Sequence, residues 1–437
     1  MARTLNKLTS KSRVVFGLGA QAYSQFVTIA LQFTTVPALI YAWGLQRYGA
    51  WIVVSALSSY LTLADLGFAQ VAANEMTIRM ARRDNSGANE VFQSTLLMVS
   101  FISTVILVLY ASFVLFAPIT QIFQFGDIPA SELRIAMIIL SVQIISSIFF
   151  GVVAAGLRSI GLFSVMIGIS STARLLEGIA VIAVALSGYN FVAAAAAVAI
   201  IRVITTVATA VMVTKRAHWL SLRFKEASLL LIRNMLTPSI TFMAYTLGNL
   251  INIQGMTVVA GAMFGPAAVA SFTAMRTLAR IGITGSNMVS HTLQPEYSTL
   301  GGAGKFENFR RLFISHSLFN TATAAGMYFL LTEVGDRFLV YWTHGTIAAI
   351  EPLFALLVLS GSIEMIWSTL QTPLVSTSKH IRTATSFLLI SICGLAFLRL
   401  DAFGQTLAAL GWVNLSTALI MVVVVGYELR RNKLGLR

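Results

Sequence analysis

The chain has 437 residues, of which 57% are apolar and only 11% charged. An ordinary soluble domain carries about 25% charge, so a soluble enzyme is excluded, as is a disordered chain, which needs low hydrophobicity and high charge. A net charge of +14 would suggest nucleic acid in a soluble protein; in a membrane protein it first reports topology, and no nucleic-acid partner is expected.

In chain order, apolar spans are predicted over residues 14–42, 48–72, 91–116, 133–156, 161–187 and 189–213, and, after a basic loop, over 236–262, 267–293, 312–339, 353–375, 383–400 and 404–427. Each is long enough for a hydrocarbon layer of about 30 Å at about 1.5 Å per residue. Ten-residue alternating strands of a porin type are absent from the pattern. The basic start, Arg3 to Arg13, leads into an apolar run too long for a signal-peptide core, so a retained first span is expected.

Charge tests the count. With the N-terminus inside, 22 of the 30 Lys and Arg fall in cytoplasmic segments. Only Arg47, Arg134, Arg337 and Arg399 fall outside, and four lie within spans. The alternation holds at every loop, and an odd count would put the basic C-terminus outside. The expected fold is therefore an all-α integral membrane protein of twelve transmembrane helices with both termini cytoplasmic. Two six-helix halves, 1–213 and 236–437, are joined by a cytoplasmic linker, 214–235. "HWLSLRFKEASLLLIRNML" in the linker has the amphipathic spacing of an inner-surface segment.

The halves resemble each other at a shift of 221. Trp43-Gly44 matches Phe264-Gly265, Trp51 matches Phe272, and Glu75 matches Glu296. Parallel repeats of this kind are a transporter architecture.

Polar side chains inside the spans carry the functional signal, because each is costly in lipid. Gln21, Gln25, Thr28 and Gln32 share a face of the first span; Ser55, Ser58, Thr62 and Asp65 share one of the second. Thr241, Tyr245, Asn249 and Asn252 do so in the seventh, and Thr273, Arg276, Thr277, Arg280, Thr284, Asn287 and His291 in the eighth. Steps of three and four place each series on one side of its helix. Interhelical hydrogen bonding explains one or two such stripes; four on the duplicated spans point to a hydrated cavity. Arg174, Arg202, Arg276 and Arg280 lie near mid-span, with Glu177 and Glu364 at similar depth. Spacing suggests an Arg174–Glu177 pair. The surplus of arginine, whose planar fork suits phosphate oxygens, points to an anionic cargo carrying phosphate. Arg276 and Arg280 are the expected diphosphate ligands, with Arg174 and Arg202 as secondary ones. Gln25, Gln32, Ser58, Thr62, Tyr245, Asn249, Asn252 and Asn287 are expected to line the cavity for sugar. One cysteine, Cys393, and five scattered histidines offer no disulfide or metal site. No cofactor is expected. No phosphate loop with GK[ST] is present, so ATP hydrolysis is not expected; direction needs an ion or a downstream sink, and a carboxylate that changes charge with the cargo is the economical device for coupling H⁺ or Na⁺. Glu364 and Asp65 are the candidates.

Three stretches carry a family resemblance. "WGLQRYGAW" (Trp43–Trp51), "LADLGF" (Leu63–Phe68) and "FGPAAVASFTAMRTL" (Phe264–Leu278) resemble motifs of the MATE/MOP flippase superfamily. Within it the chain resembles the Wzx-type flippases of O-antigen and exopolysaccharide export. Gln46-Arg47 stand where that family often has Pro-Glu. The resemblance implies transfer of an undecaprenyl-diphosphate-linked oligosaccharide across the bacterial inner membrane by alternating access. It implies membrane lipids and other polysaccharide-assembly membrane proteins as partners. A multidrug exporter of the same superfamily is the alternative; its cationic cargo predicts an acidic cavity. A membrane glycosyltransferase or polymerase would need a large loop or catalytic domain that the spans leave no room for.

Overall fold

The computed structural model describes residues 10–65, 67–377, 379–399 and 406–432. The expected cytoplasmic charges Arg3, Lys7, Lys433 and Arg437 lie outside them. The described chain is helical, with no strand among the described residues. In order it runs α1 (Ser10–Ser59), a 3₁₀ turn (Tyr60–Asp65), α2 (Phe68–Ala81), α3 (Asn85–Phe116), α4 (Ile119–Phe123), α5 (Ala130–Ser159), α6 (Phe163–Leu186) and α7 (Phe191–Arg216). Then come α8 (Leu229–Leu250), a π turn (Ile251–Gly255), α9 (Met256–Ala279), α10 (Ile281–Gly302), α11 (Phe306–Trp342), α12 (Leu353–Ser376), α13 (Ile381–Arg399) and α14 (Ala408–Arg431).

Nine described segments are long and apolar enough to cross a membrane. The longest, Gly19–Ala81, would measure about 95 Å as one rod. It is broken at Gly44, where φ is 73° and ψ 170°. α9 is broken at Gly265, with φ 76° and ψ 175°. These two glycines are the aligned pair of the 221-residue shift, and their dihedrals nearly coincide. The parallel continues: α1 gives way after Ser59, and α9 after Ala279, the matching place to within one residue. Both glycines occupy a backbone region that only glycine enters cheaply. Gly44→Ala and Gly265→Ala should each lower stability by about 1–3 kcal/mol, read as thermal unfolding in detergent. An unchanged melting curve for either would mean the break is not strained.

The chain forms two compact units: residues 1–42 with 54–243, and residues 43–53 with 244–437. In the first, Phe68, Met76, Phe92, Val99, Val152 and Leu157 form the centre of the packed core. Small residues let helices approach there; a Cβ at Gly151 of α5 would lie 3.5 Å from that of Ala69 in α2. In the second, Tyr297, Phe309, Trp367, Phe387 and Met421 pack together. Phe101, Leu109, Phe116, Leu318 and Phe329 point outward, as lipid-facing side chains do. The segment 214–235 is not a free connector: the end of α7 and the start of α8 enter it from either side, and the turn between them is held by α3.

Candidate functional site

The first unit contains a cavity of about 380 Å³ with a mixed polar and apolar lining. Room for it comes from small side chains: Ala69 and Ala73 of α2 and Gly151, Ala154 and Ala155 of α5. Its polar lining includes Gln21, Ser24, Asp65, Gln70, Arg158 and Ser171. Asp65 closes the 3₁₀ turn and accepts a hydrogen bond at 3.1 Å from the Ala69 amide in the first turn of α2. No cation lies within ion-pair distance of it among the described residues. Arg158, read from sequence as a topological charge, donates to Asn74 Oδ1 at 3.0 Å and lies over the Phe163 ring.

The polar face of α1 continues from this cavity. Tyr23 shares a hydrogen bond with Thr172 Oγ1 at 3.1 Å, and exposed Arg174 donates to Thr28 Oγ1 at 3.2 Å. Both contacts join α1 to α6, placing Arg174 on the stripe that holds half-buried Gln25 and Gln32. Arg202 is elsewhere. It makes a bidentate pair with Glu177, 2.7 Å on each arm, with side chains only 8% and 11% exposed. The pairing expected from spacing, Arg174 with Glu177, is therefore not formed. A partner 25 positions away, presented by α7 with fork geometry, outcompetes one three positions away on the same helix. As a locked, buried pair, Arg202 ties α6 to α7 and presents no free fork. Ser58 also departs from expectation: it is fully buried, hydrogen-bonded to Tyr110 at 2.7 Å and to the Val54 carbonyl. It lines no cavity. Thr62 is exposed and folds its hydroxyl back onto the Ser59 carbonyl.

In the second unit, Arg280 stands outside helical geometry at the end of α9, with φ −95° and ψ 5°. Its fork grips Glu364 of α12 at 2.6 and 2.8 Å, with side chains 24% and 16% exposed. A glycine permits this: a Cβ at Gly361, one turn before Glu364, would lie 2.6 Å from the Ala279 carbonyl oxygen. Arg276, one turn before Arg280, is buried. It donates to the Ile253 carbonyl and to Thr257 Oγ1, both at 2.9 Å, and lies over the Phe272 ring at 4.7 Å. The π turn supplies that carbonyl, as helical irregularities often do at functional positions. Tyr245 packs at a tilt against the Phe387 ring and lies within electrostatic range of Arg280 and Glu364. Asn249 donates to the Tyr245 carbonyl, Asn252 is buried in the π turn, and Asn287 is half-buried on α10.

Of the four mid-span arginines, Arg202 and Arg280 are neutralised by glutamate, whereas the hydrogen bonds of Arg174 and Arg276 go to neutral oxygens, one of each kind falling in either unit. Sequence reasoning missed Gly361, Thr257, Asn74, Gln70 and Ser171. The row of Ala and Gly residues facing Asp65 is the signal that points to the first-unit cavity.

The fold has solved counterparts. An inward-facing MATE-family multidrug resistance transporter of the MOP superfamily matches with a TM-score of 0.65 at 14% identity, covering 96% of this chain and 95% of that one. The MATE multidrug transporter DinF-BH matches with 0.63 at 14% identity, covering 98% and 96%. A MOP superfamily transporter from Pyrococcus furiosus, described as having a binding pocket of reverse polarity, matches with 0.57 at 16%, covering 97% and 96%. No curated protein matches the chain. The sequence pattern of the family described as polysaccharide biosynthesis protein matches residues 15–298. With that match over more than half its length, the chain, a multi-pass membrane protein with a MOP-superfamily fold, belongs to the polysaccharide biosynthesis protein family.

Proposed function

We propose that the chain is a flippase with twelve crossings and both ends cytoplasmic. It carries an undecaprenyl-diphosphate-linked oligosaccharide across the bacterial inner membrane by alternating access, and does no covalent chemistry itself. The carrying observation is the arginine balance: Arg174 and Arg276, within predicted spans, have neutral oxygens as their hydrogen-bond partners among the described residues. A cationic drug as cargo is disfavoured by that charge, whereas a diphosphate completes it. Arg280, held by Glu364 but more exposed than the Arg202 pair, is the fork that would exchange Glu364 for the diphosphate, and Arg276, one turn away, adds positive potential. The Asn249–Asn287 group of the same unit would meet sugar hydroxyls.

Cargo and Glu364 compete for one guanidinium. When phosphate oxygens take the Arg280 fork, Glu364 is released and becomes a site for H⁺ or Na⁺. Asp65, with no cation within ion-pair distance among the described residues, is the second such site. The test is flipping in proteoliposomes with and without an imposed pH or Na⁺ gradient. Wild type should be stimulated by one of the two gradients. Glu364→Gln or Asp65→Asn should lose the stimulation while keeping basal flipping. Stimulation that survives both substitutions removes these carboxylates from the coupling.

A further inference from the structure

The turn between α7 and α8, residues 217–228, is a built element. Ala217 and Leu220 are buried in the core of the first unit, with Leu220 seated over Gly156. Three polar side chains from the first turns of α3, all buried, hold the rest. Asn89 Oδ1 accepts from the Ser221 amide at 2.9 Å, and its Nδ2 donates to Glu226 at 2.8 Å. Gln93 accepts from the Glu226 amide at 2.6 Å, and Ser94 from the Ser228 amide at 2.9 Å. Buried amides used this way fix the path of a loop, since each would be costly to leave unpaired.

The other side of this strap is neither core nor ordinary solvated surface. Leu222 and Phe224 are exposed and alternate with exposed Arg223 and Lys225. Leu229 and Leu230, which open α8, are 78% and 68% exposed. Lys215, Arg216 and Arg233 flank the strap, all exposed. The one carboxylate between Lys215 and Arg233 is Glu226, already held by Asn89. Leucines this exposed belong at the edge of the acyl layer, which sets the strap at headgroup height. Cations interleaved with apolar side chains at that height match negatively charged phosphates above hydrocarbon. A protein partner would not require the leucines of α8 to be bare on the membrane side of the same patch.

We propose that residues 215–233 form a preformed site for anionic phospholipid headgroups on the face that carries the basic loops, anchoring the first unit to that leaflet independently of any cargo. The experiment uses the full chain with its single cysteine removed, Cys393→Ser, and a nitroxide attached through Phe224→Cys. The protein is placed in nanodiscs of phosphatidylcholine, or of phosphatidylcholine with phosphatidylglycerol. In the anionic discs the label should be shielded several-fold from a water-soluble nickel relaxer and exposed to oxygen. That protection should fall in phosphatidylcholine alone, in high salt, and in Arg223→Gln/Lys225→Gln, whose surface changes leave the α3 contacts intact. Equal protection in both lipids, or protection in neither, overturns the proposal. So does protection that appears only when other membrane proteins are added.

Discussion

Arg280→Ala should abolish delivery of the proposed cargo while the protein still reaches the membrane, and it should be among the most destabilising single changes. The substitution leaves the largely enclosed Glu364 without its bidentate partner. Removing one member of a buried pair costs about 3–5 kcal/mol, and the partial exposure of both side chains screens this toward the low end, about 3 kcal/mol. Arg280→Ala/Glu364→Gln removes both charges and should recover all but about 1 kcal/mol of the stability. It should not recover transport, because the fork that meets phosphate is gone. Arg280→Lys should restore transport only in part, since an ammonium holds its charge without the planar geometry. Thermal unfolding in detergent and flipping in proteoliposomes separate these outcomes. A double variant that transports normally would remove Arg280 from the cargo site.

Gly49→Val is the second large effect. A Cβ at Gly49 would land on the Pro266 carbonyl oxygen, a backbone atom that no rotamer change can move. Pro266 follows the Gly265 break directly, so its own φ is fixed and its neighbour is already in a glycine-only conformation. The clash must shift helix backbone, at about 3 kcal/mol for valine and somewhat less for alanine. Neighbouring Ala50 and Tyr48 are buried and leave no space to retreat. The measurement is the unfolding temperature of Gly49→Ala and Gly49→Val; values equal to wild type would contradict the close approach.

Much of the helical order was legible because apolar span length and loop charge are one-dimensional signals. The repeat was legible for a sharper reason: Gly44 and Gly265 each need a backbone conformation open to glycine, so the same residue recurs at the same place in both copies. The site was legible only as stripes. Residue spacing shows which side chains share a helix face but not which face meets which. Glu177 therefore looked like the partner of Arg174 and is the partner of Arg202. Ser58 looked like cavity lining and is a buried contact of Tyr110. Gly361 carries no chemistry of its own and is invisible to a search for polar groups, yet it sets how closely α12 brings Glu364 to Arg280. The strap showed its amphipathic outer pattern in sequence, whereas its anchors, Asn89, Gln93 and Ser94, lie about 130 residues earlier.

The proposed cargo is tested most directly by offering two substrates to the purified protein in sealed proteoliposomes. One is a polyprenyl-diphosphate oligosaccharide, followed by its accessibility to a membrane-impermeant sugar-modifying enzyme. The other is a cationic dye, followed by fluorescence. The arginine balance predicts protein-dependent flipping of the diphosphate lipid, its loss in Arg280→Ala, and no transport of the dye. Transport of the dye with no movement of the diphosphate lipid would contradict the assignment and place the chain with the drug exporters whose fold it shares.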